Sequence, residues 1–566
     1  MSEEIVPSSL DEHFAELIAT LEPHAPPELR AAALLVSAWR GAGHTCVPAE
    51  TLGGAEVIST LRECRIVGAP GEFKPLIVDG SGRLYLQRYW AYEAQLAASI
   101  RQRLTRMPCK EDALQRGLDR YFPDASEADG QRCAAESAVR NQLTVITGGP
   151  GTGKTSTVAV ILALLVDQFA QIEQVPRVAL AAPTGKAAMR MRESLGAALA
   201  RVPAADSVLP HLPAEATTLH RLLGTIPNSP FFRHDPERPL SVDVVIVDEA
   251  SMIDVALMAK LFAALPPSAR VILLGDKDQL ASVEAGNVLG DICGLATARR
   301  AEAPLASHIV ELRRNYRFAA SSGIHRLSQF VNAGDADAAV ALLDEGSRSD
   351  VIFGRTPSPA QLANELRSRV LDGYRAFLHA DAPADVLARL VDFRILSALR
   401  RGPFGVENLN RHAEQLLTHQ GWIAPNAPHY HGRPLLILEN DYALGLFNGD
   451  VGVILRDPES DGDLRAFFLD ASAGLRRLLP ARLPPHETSF AMTVHKSQGS
   501  EFDRVLLILP DRDNAVATRE LLYTGLTRAR SSVELWASPE MLRTTIARRT
   551  LRSSGLREAL WEEQGA

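Results

Sequence analysis

Residues 148–155, Gly-Gly-Pro-Gly-Thr-Gly-Lys-Thr, decide the fold of this chain. They follow an apolar run at 143–147 and precede a run of helical character that continues to Leu165. A glycine-rich loop between a strand and a helix lets backbone N–H groups close around phosphate oxygens. We therefore predict a phosphate-binding loop in which Lys154 neutralises the β- and γ-phosphates and Thr155 ligates Mg²⁺. The loop residues assigned to the nucleotide are Gly148, Gly149, Pro150, Gly151, Thr152, Gly153, Lys154 and Thr155.

Further short apolar runs flank the loop on both sides. Near-continuous apolar segments of four or five residues are typical of strands that are buried on both faces of a parallel sheet. Each run ends where a polar motif begins, as expected when ligands bind at the carboxyl ends of parallel strands. We predict a first α/β core over about residues 126–304, with strands at 143–147, 178–182, 244–247 and 271–274.

Two polar motifs follow the later strands of this core. Residues 244–251, VVIVDEAS, place Asp248 where it would hold the hydration shell of Mg²⁺ and Glu249 where it would polarise the attacking water. Adjacent acids can also be a solvated helix start, but four apolar residues leading into them favour the metal interpretation. In GDKDQL at 275–280, Gln279 is a candidate contact to the γ-phosphate, although a polar turn after a strand is common.

Arginines in the second half of the chain offer a charge contribution from across a cleft. LRRNYR at 312–317 supplies Tyr316 as an aromatic face for a base and Arg317 for phosphate, and YTGLTRAR at 523–530 supplies Arg528. Such an arginine is worth roughly 10³–10⁵ in the rate of phosphoryl transfer. A lone arginine is more often a surface ion-pair residue. Two such arginines in a chain that also contains a complete phosphate loop favour an NTPase whose two halves move relative to one another, as in a translocating motor.

Two segments have the composition of a polynucleotide-binding surface. APTGKAA at 182–188 places Thr184 and Lys186 at a strand-to-helix turn. TVHKSQGSEF at 493–502 supplies Thr493, His495 and Lys496 just before another predicted strand. Hydroxyls, backbone amides and ammonium groups at such turns suit backbone phosphates. The alternative for each segment is a capped helix or a polar loop with no ligand.

Composition limits the classes of protein that the chain can belong to. Its 566 residues, 46% hydrophobic and 23% charged, can form several packed domains. The net charge of −8 argues against a basic coat over the whole surface, but it leaves room for a local groove that binds phosphates. The five cysteines lack metal-ligand spacing, the N-terminal residues lack an apolar signal core, and the longest apolar run, at 158–166, is too short for a membrane. We expect a cytoplasmic protein with no membrane partner.

The remaining chain divides into an N-terminal module and a second core. Residues 1–125 have mostly helical periodicity, with a hairpin at 75–86. Residues 305–566 have the pattern of a second α/β sheet, interrupted at about 430–487 by a β-rich insertion. The strands predicted for this second sheet lie at 308–311, 351–353, 393–396 and 505–509.

Taken in order, these motifs resemble those of the superfamily 1 helicases, and within them the RecD family. The resemblance covers residues 126–540 specifically and the N-terminal module more loosely. It is carried by GGPGTGKT, AAPTGKAA, TLHRLLG at 218–224, VIVDEASMID, GDKDQL, GLFNGD at 445–450, TVHKSQGSEFD and YTGLTRAR.

The resemblance implies a specific function. It implies two RecA-like cores, an SH3-like insertion, ATP and Mg²⁺ as cofactors, Gln131 reading the adenine, and His220 among the DNA-binding residues. It also implies 5′ to 3′ movement on single-stranded DNA and action at duplex ends in double-strand break repair. The partners implied are RecB-like and RecC-like subunits in a heterotrimer. The N-terminal module would dock on the RecC-like subunit, and the nuclease site would belong to the RecB-like subunit. An RNA helicase and a non-motor ATP-binding scaffold stay open as alternatives.

Overall fold

The computed structural model of the chain describes residues 5–123, 129–203, 210, 213, 216–227, 229–294, 303–319, 321–441, 443–470 and 474–562. The described helices are α1 (Ser9–Leu21), α2 (Pro27–Gly41), α3 (Ala49–Leu52), α4 (Ala55–Arg62), α5 (Gln87–Gln102), α6 (Glu111–Tyr121), α7 (Gly130–Arg140), α8 (Lys154–Ala170), α9 (Gly185–Leu199), α10 (Leu219–Leu223), α11 (Val255–Ala264), α12 (Val288–Cys293), α13 (Gly323–Ala333), α14 (Ala336–Asp344), α15 (Leu362–Leu378), α16 (Pro383–Arg389), α17 (Val406–His419), α18 (Arg519–Leu526), α19 (Pro539–Ala547) and α20 (Leu556–Trp561).

The described strands are β1 (Cys46–Val47), β2 (Val67–Gly68), β3 (Leu76–Val78), β4 (Leu84–Leu86), β5 (Leu143–Thr147), β6 (Val178–Ala182), β7 (Thr217–Thr218), β8 (Val244–Val247), β9 (Arg270–Gly275), β10 (Ile309–Glu311), β11 (Val351–Gly354), β12 (Phe393–Ser397), β13 (Arg433–Ile437), β14 (Val451–Arg456), β15 (Leu464–Asp470), β16 (Gly474–Leu478), β17 (His486–Thr488), β18 (Ala491–Thr493), β19 (Phe502–Ile508) and β20 (Ala529–Trp536).

The first core is a parallel sheet in the order β10-β5-β9-β8-β6-β7. Strands β5, β8 and β9 are buried along their whole length, which is why they consist of near-continuous apolar residues. The four strands predicted for this core are confirmed. Because the strands are parallel, the segments that follow β5, β6, β8 and β9 all leave the sheet at the same edge.

One strand was assigned to the wrong sheet. The run at 308–311 was expected to open the second sheet, but β10 pairs in parallel with β5 and forms an edge of the first sheet. The two apolar residues Ile309 and Val310 indicate a strand without indicating its neighbour, and the pairing depends on contacts across more than 160 residues. The predicted boundary between residues 125 and 126 lies outside the described residues.

The second core is a parallel sheet in the order β11-β20-β19-β12-β18. It includes the three remaining predicted strands at 351–353, 393–396 and 505–509, which are confirmed. Between α17 and β18, the predicted β-rich insertion forms an antiparallel sheet in the order β16-β15-β14-β13-β17. The α/β architecture of two parallel-sheet cores with a β insertion is therefore confirmed.

The N-terminal residues surround a small sheet in the order β1-β4-β3-β2, and the predicted hairpin is the antiparallel pair β3–β4. Helices α5 and α6 instead pack against helices of the first core, α5 on α11 and α6 on α8. Over the described ranges, no helix combines the length and apolarity needed to cross a bilayer.

Candidate nucleotide cleft and nucleic-acid interface

Both cores contribute to one cleft with a volume of about 500 Å³. From the first core it is lined by the phosphate loop, Asp248, Glu249 and Gln279, and from the second half of the chain by Tyr316, Arg317 and Arg528. The predicted catalytic residues are therefore brought together. Segments more than 370 residues apart meet here: the phosphate loop follows β5 at the carboxyl edge of the first sheet, while Glu501 and Arg528 immediately precede β19 and β20 at the amino edge of the second sheet.

The phosphate loop depends on two glycines with positive φ. Gly151 has φ +81°, and a Cβ there would lie 2.4 Å from Cβ of Arg317. Gly153 has φ +84°, and its Cβ would lie 2.2 Å from Nε2 of Gln131. Both the backbone conformation and the available space therefore require glycine. Lys154 donates from Nζ to the carbonyl oxygens of Gly148 and Gly149, at 2.5 and 3.1 Å, which holds its ammonium inside the loop.

The residues assigned to the base lie beside the same loop. Gln131, in the first turn of α7, donates from Nε2 to the carbonyl of Thr152 at 3.3 Å. The backbone N–H of Tyr316 donates to the carbonyl of Gly151 at 2.8 Å, while its ring stays 51% exposed. An amide and an exposed aromatic face next to the loop are suited to a purine, by hydrogen bonding and stacking respectively.

The acidic pair follows β8 as predicted. Burial, reinforced by the neighbouring Glu249, raises the pKa of Asp248 to about 6. Glu249 has φ 52° and ψ 40°, a left-handed conformation that costs roughly 1–2 kcal/mol for a residue with a Cβ. Unfavourable backbone conformations persist where the surrounding fold imposes them, and they cluster at functional sites.

A cation fits the donor set at this end of the cleft. The hydroxyl of Thr155 and the carboxylate of Asp248 are hard oxygen donors of the kind that Mg²⁺ prefers. Because burial raises the pKa of Asp248, a divalent cation bound beside it would favour the ionised carboxylate. The residues present are therefore compatible with Mg²⁺.

The two arginines of the second half are fixed by different contacts. Arg528 is only 3% exposed and donates to the carbonyls of Thr524 and Ser500, each at 3.1 Å. Arg317 donates from Nη2 to Oε1 of Glu501 at 2.7 Å. Both guanidinium groups line the cleft that contains Lys154, which meets the geometric requirement of the predicted motor.

Gln279 connects the two cores through a buried carboxylate. Its Nε2 donates to Oδ2 of Asp276 at 3.0 Å, and the hydroxyl of Tyr523 donates to the same oxygen at 2.9 Å. The residues that follow Gln279 and Tyr523 are also bonded: the N–H of Leu280 donates to the hydroxyl of Thr524 at 2.9 Å. Helix α18 therefore contacts the first core directly beside the predicted γ-phosphate sensor.

Sequence reasoning assigned no cleft role to four charged residues that line it, Arg190, Arg201, Asp276 and Glu501, of which Arg190 and Glu501 contact each other. Arg190 lies on α9 of the first core, and its guanidinium contacts the carboxylate of Glu501 and the carbonyl of Gly499. Burial opposes ionisation of Glu501, but Arg190, Arg317 and Arg528 outweigh it and lower its pKa to about 2. The signal for Arg190 was its spacing of one helical turn from Lys186; Glu501 stood inside a quoted motif without an assigned role.

The candidate DNA-binding residues of the first core lie in three different settings. The hydroxyl of Thr184 caps α9 by accepting from the N–H of Ala187 at 3.2 Å. Lys186 is half-buried beside Asp450 of the insertion, and burial lowers its pKa to about 8. His220, on α10, packs edge-on against Phe232 with ring centroids 5.7 Å apart. Their role in DNA binding stays a prediction.

The candidate DNA-binding residues of the second core lie at the end of β18. Thr493 accepts from the N–H of Lys496 at 3.3 Å, and Lys496 forms an ion pair with Glu487 at 2.7 Å. His495 is half-buried in the same turn. A Cβ on Gly499 would lie 3.8 Å from Cβ of Ala187, so this segment packs against the start of α9. The two predicted polynucleotide segments are therefore neighbours across the junction of the cores.

Comparison with protein families gives three matches. Residues 131–285 match an AAA domain, and residues 488–535 match the UvrD-like helicase C-terminal domain. Residues 5–60 match the N-terminal domain of the RecBCD enzyme subunit RecD.

Curated relatives are similar over most of the chain. The RecBCD enzyme subunit RecD of Mycobacterium tuberculosis is 43% identical over 480 residues, which cover 84% of this chain and 80% of that protein. The subunit of the same name from Mycolicibacterium smegmatis is 38% identical over 570 residues, covering 97% of both proteins. The ATP-dependent RecD2 DNA helicase of Deinococcus radiodurans is 32% identical over 80% of this chain, but the match covers 54% of that protein.

Proposed function

Because this chain belongs to the RecD family of superfamily 1 helicases, we propose that it moves 5′ to 3′ along single-stranded DNA within a heterotrimer containing RecB-like and RecC-like subunits. The chain is an ATP-dependent DNA helicase subunit of the RecBCD type. We further propose that the complex works in the cytoplasm on duplex ends during double-strand break repair. One observation supports the motor mechanism above all others: Arg317 and Arg528 line the same cleft as Lys154.

The cleft contains the groups that phosphoryl transfer requires. Lys154 and the loop N–H groups hold the β- and γ-phosphates, while Thr155 and Asp248 would hold Mg²⁺. When bound, that ion neutralises charge on the phosphate oxygens. Glu249 accepts a proton from the attacking water, and Arg528 stabilises the charge that develops on the transferred phosphoryl group.

Hydrolysis is coupled to motion because these groups belong to two bodies. Closure around ATP brings Arg528 of the second core onto the γ-phosphate, beside Arg317 in the segment that follows β10, and release of the γ-phosphate removes the ligand of both arginines. Gln279 shares Asp276 with Tyr523, so a change at the phosphate reaches helix α18 through two hydrogen bonds. The segments 182–188 and 493–502, which touch one another, then move relative to each other along the DNA backbone.

Replacing Lys154 by Gln tests the motor. We expect Lys154→Gln to lose ATP hydrolysis and strand separation, because the remaining amide carries no charge to offset the triphosphate. Steady-state ATPase with poly-dT and single-turnover displacement of a tailed duplex measure the two activities, and circular dichroism checks the fold. Lys260→Gln, on α11 and outside the cleft, is the matched control. Retained DNA-stimulated hydrolysis in Lys154→Gln would contradict the assignment.

We propose that helix α1 docks on the RecC-like subunit. Its buried face carries Ala15 and Ile18, yet Leu10, Leu17 and Leu21 are 71%, 55% and 55% exposed. These three positions follow the i, i+7, i+11 spacing of a single helical stripe. An exposed apolar stripe on the segment that matches the RecD N-terminal domain is suited to a permanent protein interface.

Copurification tests this docking surface. We expect Leu10→Ser/Leu17→Ser to reduce recovery of the two large subunits by at least tenfold while the DNA-free ATPase activity is retained. Ile172→Ser/Val175→Ser is the control, since these side chains are 53% and 63% exposed in the turn after α8. Full recovery with the α1 variant would contradict docking through this stripe.

A further inference from the structure

The polypeptide that follows α19 leaves the second core and packs on the other two bodies. Arg552 donates from Nη1 to the carbonyls of Glu284 and Gly286 in the first core, at 2.6 and 2.8 Å. Leu556 and Leu560, 1% and 7% exposed, belong to the apolar cluster of the first core. We call residues 550–561 the tether.

The near end of the tether is bound to the helix that reaches the nucleotide cleft. Thr550 donates to Oε2 of Glu520 from both its backbone N–H and its hydroxyl, at 2.9 and 3.0 Å. One residue earlier on the helix, the N–H of Arg519 donates to the carbonyl of Arg548 at 2.8 Å. Both Arg519 and Glu520 lie in the first turn of α18, so this turn is attached to the tether.

The far end is held by buried polar groups. The carboxylate of Glu93, on α5, accepts from the hydroxyl of Ser554 at 2.8 Å and the N–H of Gly555 at 2.9 Å. The indole N–H of Trp561 donates to the carbonyl of Asp291 at 3.0 Å. Detaching this end would leave the buried carboxylate of Glu93 without these donors, which is costly.

The tether also reaches the N-terminal module. The N–H of Thr45 donates to the carbonyl of Ser553 at 3.0 Å, and Ser553 donates to Nδ1 of His44 at 2.9 Å. Glu558 forms an ion pair with Arg83 in β3–β4. The module that we propose to dock on the partner is therefore bonded to the same twelve residues as α18.

Very little chain separates the residue bonded to α18 from the first residue bonded to the first core. Thr550 is bonded to α18, and Arg552 is bonded to the first core. A single residue, Leu551, lies between them, and it is 80% exposed. Two Cα–Cα steps span at most about 7 Å. The first turn of α18 therefore cannot move far from the first core unless one anchor breaks.

We propose that the tether is a positioning element for phosphoryl transfer: it fixes the first turn of α18 to the first core and the N-terminal module, and so sets where Arg528 reaches the cleft. This rests on the proposed motor function, because it assigns the tether to the same cleft. Tyr523 and Thr524 give α18 a second attachment to the first core, so both the start and the middle of the helix that precedes Arg528 are held there.

Lengthening the tether tests the proposal on the full chain. In the variant, Gly-Gly-Ser-Gly is inserted between Leu551 and Arg552, which keeps both anchors but adds slack. We expect kcat for ATP hydrolysis without DNA to fall about tenfold, because a displaced arginine loses transition-state stabilisation, while the Kd of a fluorescent ADP analogue changes less than twofold. The control carries the same insertion between Asp381 and Ala382, in an exposed loop of the second core.

A kcat within twofold of wild type, with an unchanged melting midpoint, would overturn the proposal. If the insertion lowers the melting midpoint, Thr550→Val decides: it removes one donor to Glu520 without changing the loop, and we expect a threefold or larger fall in kcat that Thr356→Val does not show. An unchanged kcat in Thr550→Val would then also overturn it. Wild-type hydrolysis that single-stranded DNA does not accelerate would count against the motor function, and the kcat comparison would still decide the role of the tether.

Discussion

At the cleft, single residues of opposite charge are placed within a few ångströms of one another. The cations come from both cores, and so do the carboxylates: Lys154, Arg190, Arg317 and Arg528 face Asp248, Glu249, Asp276 and Glu501. A triphosphate adds further negative charge to this set, and the arginines placed to neutralise the triphosphate are those that line the cleft, Arg190, Arg317 and Arg528. We expect Lys154 to govern the affinity for the nucleotide and Arg528 to govern the rate of hydrolysis.

Arg528→Lys separates these two quantities. A lysine cannot donate to both Thr524 and Ser500 while it faces the cleft, so the charge loses its orientation. We expect kcat for ATP hydrolysis to fall by about 10³ or more, since arginines of this kind contribute that much. The Kd for ADP should change less than tenfold because Lys154 is intact.

Stopped-flow titration with a fluorescent ADP analogue and single-turnover hydrolysis measure the two quantities. Arg530→Lys is the control: this arginine lies two residues on, is 42% exposed and contacts Glu501 from outside the cleft. A kcat in Arg528→Lys above a tenth of the wild-type value would rule out Arg528 as the residue that stabilises the transferred phosphoryl group.

Much of the cleft could be predicted from residue types alone. A glycine-rich loop ending in Lys-Thr and an Asp-Glu pair after an apolar run have few other uses, and both are found in the cleft. Glu501 could not be found in this way, because its role depends on Arg190 and Arg317, which lie 311 and 184 residues away in the sequence. Ion pairs at such separations follow from the fold and leave no local pattern.

At the scale of elements, strands were predicted well and their partners less well. Strands buried on both faces must be apolar throughout, which made β5, β6, β8 and β9 recognisable. Strand β10 was recognised but placed in the wrong sheet, since its two apolar residues, Ile309 and Val310, do not specify a partner strand. The tether lacks any periodic apolar signal except in the six residues of α20, so its course could not be predicted.

The contact between α20 and α12 predicts a pH dependence of stability. Burial raises the pKa of Asp291 to about 6 from 3.8, and Arg557 opposes that rise only in part. Because the folded carboxyl binds its proton more tightly than the unfolded one, its contribution to stability is complete below pH 3.8 and is lost as the pH rises through about 6. Each pKa unit corresponds to about 1.4 kcal/mol.

Asp291→Asn removes this titration. We expect the melting midpoint of the wild type to fall more between pH 4 and pH 7 than that of Asp291→Asn, measured by differential scanning fluorimetry in buffers of equal ionic strength. Asp344→Asn, at the exposed end of α14, should follow the wild type. Equal pH dependence in the wild type and Asp291→Asn would show that this carboxyl does not titrate as its burial indicates.

At the scale of the whole molecule, the net charge is negative although the proposed DNA-binding segments are not. The 68 acidic residues exceed the 60 basic ones, yet the proposed DNA path runs along segments with lysine and hydroxyl groups. Phosphate binding releases counterions whatever the sign of the net charge. Affinity for single-stranded DNA is therefore governed by the local groove rather than by the overall charge of −8.

We accordingly expect the affinity for oligo-dT to fall steeply with salt. Three or four phosphate contacts on a single strand predict a slope of log K against log[salt] of about −2 to −3. Fluorescence anisotropy between 50 and 300 mM potassium acetate measures the slope, and excess ADP fixes the nucleotide state throughout. A slope near zero would contradict a phosphate-lined groove.

The late position of Leu556 and Leu560 in the sequence has a consequence for biosynthesis. Their partners in the apolar cluster, such as Leu96 and Leu261, leave the ribosome some 300 to 460 residues earlier. Strand β10 likewise reaches β5 only after about 160 further residues have been made. Until those residues are synthesised, the nascent first core exposes an apolar groove and an unpaired strand edge. Chaperones recognise such surfaces, and incomplete chains aggregate through them.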